Sequence, residues 1–152
     1  MQTREWTFRN RSWWPEGTWG DEPDKVQWVD PTTGLPCMVV RSFIGAWTGY
    51  VGVYAAHPLY GRNPTECPPL VVHGGVNRTE FYSRTAGADA SCHQPVEGPV
   101  WWIGFDCAHT RDLCPALGTM MVVAPCTYRD LDYVCREVGR LAQQLKIFVE
   151  VS

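Results

Sequence analysis

Short alternating or apolar runs, broken by Gly and Pro, fill most of the chain, and one long amphipathic repeat closes it. Residues 4–9 alternate in polarity and read as a short strand. Val26 to Asp30 and Cys37 to Ile44 read as two strands joined by the turn Pro31-Thr32-Thr33-Gly34-Leu35-Pro36. Trp47 to Ala55 reads as a third strand of that set, punctuated by glycine, and Pro69 to His73 as a fourth. Residues 83–99 read as a polar loop, Val100 to Cys107 as the most apolar strand, and Thr119 to Ala124 as a further one. From Tyr128 to Lys146 the apolar positions Leu131, Val134, Cys135, Val138, Leu141, Ala142 and Leu145 recur at three- and four-residue steps, the mark of an amphipathic helix. Thr127 is placed to cap it, with Asp130 three residues on.

These elements predict an α+β domain: an antiparallel sheet of about five to six strands with the long C-terminal helix packed on one face. Residues 1–24 form a Trp-rich strand and arm, and 25–152 the single α+β domain. Trp13, Trp14 and Trp19 crowd the arm and need a surface to cover, either on this domain or on another subunit. The helix stripe would pack on the sheet, its other possible use being a dimer seam.

Composition changes this picture little. The chain has 152 residues, 45% of them hydrophobic and 19% charged, with a net charge of −3, which offers nothing to a nucleic-acid backbone. It carries no apolar run long enough to span a bilayer, and its opening residues lack the apolar stretch of a signal peptide, so it reads as cytosolic. Its seven cysteines are irregularly spaced without a CxxC pair, which suits free thiols better than a disulfide framework or a zinc finger. All the basic residues except Lys25 and Lys146 are Arg. A GC-rich coding bias explains that as well as anion recognition does.

Candidate chemistry gathers at the end of the apolar strand. Alternation puts Trp101, Ile103, Phe105 and Cys107 on one face and Val100, Trp102, Gly104 and Asp106 on the other, with His109 and Asp112 in the loop beyond. Asp106 and His109 suit polar recognition or acid–base chemistry; the plain alternative is an Asx-turn at Asp106 and a packing role for His109. His73 precedes Gly74-Gly75, whose backbone could cradle an anion or simply turn the chain. His57 is fixed by Pro58. Arg129, placed by this reading in the first helical turn, could hold a phosphate or carboxylate there or pair with a nearby acid. Cys107, His109 and Cys114, or Cys92-His93 with Cys107 and His109, could ligate zinc, and His73, Asp106, His109 and Asp112 another divalent ion. None of these spacings is diagnostic, so the expectation is a site without metal or cofactor. A Cys107/His109 nucleophile pair is weaker still.

Several motifs resemble those of a family of small uncharacterised tailed-bacteriophage proteins. They are Gly49-Tyr50-Val51-Gly52-Val53, His57-Pro58-Leu59-Tyr60-Gly61, His73-Gly74-Gly75, Gly104-Phe105-Asp106-Cys107-Ala108-His109 with Asp112, and Tyr128-Arg129 before a helix ending in Leu141-Ala142-Gln143-Gln144-Leu145. The resemblance covers roughly residues 47–146 and departs at Val76-Asn77 and Arg111. It implies a viral protein in the host cytoplasm, with His57, His73, Asp106, His109 and Arg129 in a common pattern, and brings no established activity. The expectation that follows is a homo-oligomeric binder of a small anionic, nucleotide-derived ligand. Under it His57, His73, Gly74, Gly75, Asp106, His109, Asp112 and Arg129 contact ligand. The alternatives are a hydrolase or transferase using Asp106, His109 and His73, and an inhibitor that grips a host protein through the arm.

Overall fold

The computed structural model describes residues 3–81, 99–118 and 126–151. Six strands form one antiparallel sheet: β1 (Arg4–Trp6), β2 (Lys25–Val29), β3 (Pro36–Arg41), β4 (Trp47–Val53), β5 (Arg78–Phe81) and β6 (Trp101–Asp106). Their order across the sheet is β1-β2-β3-β4-β6-β5. A single long helix, α1 (Leu131–Val151), lies across β3 and β4 on one face, as the α+β pattern predicts.

Two-residue alternation sorts the strands onto two faces. Val39, Trp47, Val51, Ile103, Phe105 and Cys107 meet Val134, Val138, Leu141, Ala142 and Leu145 of the helix stripe. At about 25 cal/mol per Å² of buried apolar surface, this two-layer contact is the main favourable term holding α1 down. Met38, Val40, Tyr50, Val100 and Trp102 form a second buried cluster on the opposite face. Gly49 lets the helix approach: a Cβ there would stand 2.7 Å from Val138 Cγ2 and from Phe105 Cζ. The Phe105 ring and the helix side chain close on that point together, so the position needs glycine for space alone.

The arm is built into the same sheet. β1 pairs with β2, placing Glu5 opposite Val26. Trp14 is buried, Trp13 packs against Phe43 with ring centroids 5.8 Å apart, and Trp19 meets Tyr128 edge-on at 5.1 Å. Beneath them Arg41, fully buried, donates to Gly45 O at 2.6 Å and to Glu22 Oε1 at 3.1 Å, and its Nε lies 3.2 Å from Asp24 Oδ1. Asp24 in turn accepts the backbone N–H groups of Phe8 and Arg9, each at 2.7 Å. A buried charge persists only when paired and hydrogen-bonded, and here the arm provides both carboxylates.

Three expectations need correction. Residues 69–73 form no strand: the Val71 N–H and carbonyl are both taken by the Gln144 side chain, at 2.7 and 2.8 Å, so no ladder is needed to satisfy them. The outer strand is β5, whose sequence Arg-Thr-Glu-Phe carries little apolar alternation because it pairs on one side only, with β6. The helix starts at Leu131, not Tyr128. Asp130, not Thr127, sits at the cap, its Oδ1 accepting the Tyr133 N–H at 2.8 Å. Thr127 instead forms an isolated parallel bridge with Asp112. The expected strand Thr119 to Ala124 and nearly all of the 83–99 loop lie outside the described residues.

Candidate functional site

The chain leaves β6 at Asp106 and turns sharply. Asp106 Oδ1 accepts the Ala108 N–H at 3.1 Å, the Asx-turn that its sequence position allows. The same turn brings back Asp112, whose N–H donates to His109 O at 2.9 Å. The bridge to Thr127 pins this loop against the segment entering α1, with Leu113 N donating to Thr127 O and Thr127 N to Arg111 O. Asp112 is thereby placed, almost wholly buried, between the strand end and the helix start.

Four groups converge on its carboxylate. Oδ2 lies 2.8 Å from His73 Nε2, 3.0 Å from the His109 N–H and 3.1 Å from His109 Nδ1. Oδ1 accepts Arg129 Nε at 3.1 Å. Burial pushes this carboxyl up, but the donors from His73, the His109 backbone and Arg129 outweigh it and hold its pKa below the ordinary value. Asp112 is therefore a carboxylate at neutral pH, balanced by one guanidinium. Oδ2 is crowded, since an ionised carboxylate offers about two lone-pair directions on each oxygen and three donors aim at this one.

The outer contacts fix both imidazoles. His73 Nδ1 is 2.8 Å from Tyr133 Oη, and the two rings meet edge-on with centroids 5.4 Å apart. Arg129 lies over the Tyr133 ring at 4.9 Å. The His109 ring leans over the bare backbone of Gly74, where a Cβ would fall 2.2 Å from His109 Cε1. Gly74 and Gly75 have φ of 67° and 78°, the left-handed region that favours glycine. The Gly75 N–H is spent on Val72 O at 2.8 Å, so the pair serves mainly to turn the chain and seat the His109 ring.

Of the residues singled out in the sequence, His73, Gly74, His109, Asp112 and Arg129 come together. Asp106 stands at the border: His109 Nδ1 is 3.8 Å from its Oδ1, while its Oδ2 accepts Asn77 Nδ2 at 3.1 Å and lies 3.5 Å from Arg78 Nε. It faces a separate cleft of about 160 Å³ with Phe43, Thr48 and Arg78. His57 belongs elsewhere. Its Nδ1 accepts the Leu59 N–H at 3.0 Å, which leaves Nε2–H to donate to Leu145 O at 2.9 Å. Burial lowers its pKa, and the ring stacks on Phe148, so it fastens a loop to the helix in its neutral form. Arg129 precedes the helix and pairs with Asp112 from outside its first turn.

Tyr133 is the member that the sequence reading missed. No local spacing signals it, because Arg129 lies before the helix that carries Tyr133 and the two meet only through the turn into α1. Cys107 is buried in the core, and burial, with Asp112 and Asp106 nearby, pushes its thiol far up.

Beside the cluster opens a cleft of about 330 Å³ lined by His109, Asp112, Ala108, Ile44, Leu117 and Cys126. The His109 side chain is 40% exposed, and its Nε2 makes no hydrogen bond among the described residues. The same holds for the two Nη groups of Arg129, although its Nε is engaged. Among the described residues, His73, His109 and Asp112 form a group that could hold a metal ion: one ligand atom from each lies within 4.8 Å of the others. Among the described residues no helix is long and apolar enough to cross a membrane. Comparison of the chain with protein-family models, curated protein sequences and solved structures finds no match in any of the three.

Proposed function

We propose that the protein binds a small anionic, nucleotide-derived ligand at the cleft lined by His109 and Asp112, with Arg129 held beside it by Asp112. In the phage setting implied by its motifs, it would sequester a host immune signal in the host cytoplasm, as a homo-oligomer. One observation supports the binding reading: a single buried carboxylate at the wall of a cleft holds a guanidinium through Nε, and the two terminal nitrogens of that guanidinium make no hydrogen bond among the described residues. Asp112 fixes the Arg129 fork through Nε, so its two terminal nitrogens reach an anion already oriented. A cleft of about 330 Å³ lies at the small end of ligand pockets, which suits one nucleotide unit better than an extended polymer. The phage and anti-defence setting rests on the motif resemblance and on analogy of class.

Thermal denaturation with a panel of nucleotides and cyclic dinucleotides tests the proposal. A ligand at 100 times its Kd should stabilise the fold by about 2.7 kcal/mol, and Arg129→Ala should remove the shift. A panel that moves the melting temperature of wild type and Arg129→Ala alike, or of neither, would sink the idea.

A second reading, acid–base chemistry on that ligand, is favoured by the contact between His109 Nδ1 and Asp112. A carboxylate that receives Nδ1–H directs the Nε2 lone pair outward, the arrangement a general base needs. Recovery of the ligand chemically unchanged after long incubation would decide for simple binding.

A further inference from the structure

From the geometry of His73, His109 and Asp112 we infer a binding site for one divalent first-row transition-metal ion, with His73 Nε2, His109 Nδ1 and Asp112 Oδ2 as its three protein ligands. Two imidazole nitrogens and one carboxylate oxygen form the donor set of facial triads, which leave coordination positions open for other ligands. The spacing agrees. Metal–ligand bonds of about 2.1 Å meeting at right angles set donors about 3.0 Å apart, and tetrahedral angles set them about 3.4 Å apart. His73 Nε2 and His109 Nδ1 lie 2.8 and 3.1 Å from Oδ2, nearer the right-angled value.

Hydrogen bonds have the same lengths, so distance alone does not decide. The crowding on Oδ2 does. As a purely hydrogen-bonded cluster it receives three donors, two of them imidazole N–H groups. A cation in their midst favours the other tautomer of both rings, which stay in place: His73 Nε2 and His109 Nδ1 present lone pairs to the ion, and Oδ2 keeps only the His109 backbone N–H beside it. No proton is lost, because each neutral ring carries its hydrogen on its other nitrogen.

The surroundings already suit that exchange. His73 Nδ1–H would then donate to Tyr133 Oη, 2.8 Å away, the outer contact that fixes a ligating histidine. Arg129 sits on Oδ1, the oxygen not offered to the ion, so it neither blocks the site nor competes for the ligand atom. Carboxylate and guanidinium cancel, so a bound ion would leave two net positive charges at the cleft. The inference thus deepens the anion-binding reading by giving the anion a cation to meet. It rests on that reading only for the anion, since the three protein ligands stand without it.

Calorimetric titration of metal-free, full-length protein with Zn²⁺, and the visible spectrum of the Co²⁺ form, test the inference. The expected result is one ion per chain at micromolar or tighter affinity, with Co²⁺ bands free of thiolate charge transfer. Binding should be lost in His109→Ala, whose exposed side chain makes it a safe variant for folding. In Tyr133→Phe it should weaken by about 10–100-fold, the usual effect of removing an outer-shell partner. Absence of binding, thiolate bands from the cysteines, or affinity unchanged in both variants overturns the site. Parallel titrations with inorganic phosphate and ADP, with and without Zn²⁺, separate the two readings. Zinc without anion binding keeps the metal site and removes the anion; ADP binding to a protein that takes no zinc does the reverse.

Discussion

Asp112 repays attention one atom at a time. Replacing it by Asn keeps the shape but removes the charge that Arg129 faces and puts an amide N–H₂ where a donor already points. Leaving partners of a buried carboxylate unsatisfied costs on the order of 2–3 kcal/mol. We expect Asp112→Asn to lower stability by about that much and to abolish ligand and metal binding, measured by urea denaturation and calorimetry. The sign of its pH dependence follows from its depressed pKa. Its contribution is present above the unfolded-state value, about 3.9, and fades as pH falls through the lower folded value. The acid limb of the wild-type stability curve should therefore flatten in Asp112→Asn. Gly74→Ala is a second single-atom test: at φ 67°, with a Cβ directed into His109 Cε1, it should displace that ring and weaken binding more than it destabilises the fold. The imidazole shifts of His109 by NMR would show the displacement.

At the scale of elements, most of the frame was legible and some of its edges were not. The stripe from Leu131 to Leu145 and the alternation from Val100 to Cys107 reported which surfaces meet, because burial selects side chains at those periods. The helix start was misread because Thr127 is an equally good capping residue; the bridge between Thr127 and Asp112 took it out of use. A start at Tyr128 puts Arg129 in the first helical turn, whereas the helix begins at Leu131 and leaves Arg129 free to reach Asp112. His73, His109, Asp112 and Arg129 could be named, since acids and histidines in loops stand out. Their meeting on one carboxylate could not, because it depends on the order β4-β6-β5 across the sheet, which no local pattern encodes. His57 was grouped with them through its motif, while its hydrogen bonds make it a fastener for α1. Its lowered pKa gives a testable sign. The neutral form is favoured on folding, so its stabilisation is full above the ordinary 6.5 and declines as pH drops through the folded value. Melting temperature should fall between pH 7.5 and 5.5 in wild type, and His57→Gln should lessen that slope.

For the whole molecule, the boundary drawn at residue 24 divides something the fold keeps joined. Arg41 is entirely buried and its two carboxylate partners, Glu22 and Asp24, come from the arm. Removing one side of a buried ion pair costs about 3–5 kcal/mol, a large part of the stability of an ordinary domain. Deleting residues 1–24 should therefore unfold or severely destabilise the protein, as read by circular dichroism, and would not cleanly test whether the arm grips a host partner. Surface substitutions at Trp13, which is 52% exposed, would test that without touching the network.

Glu22 accepts from Arg41 and from the Tyr128 hydroxyl through Oε1, and it has a further partner. Its Oε2 accepts the Leu131 N–H at 2.6 Å, a bond spanning 109 residues of sequence. A ribosome adding about 5–20 residues per second needs roughly 5–20 s to make the stretch between the two. During that interval the first residues of the chain have a seat but no clasp, and the Arg41 pocket waits on a helix not yet synthesised. Nucleation is then expected among the central strands, with the arm and the helix docking after the rate-limiting step. Weakening Glu22 should accordingly raise the unfolding rate and leave the refolding rate nearly untouched.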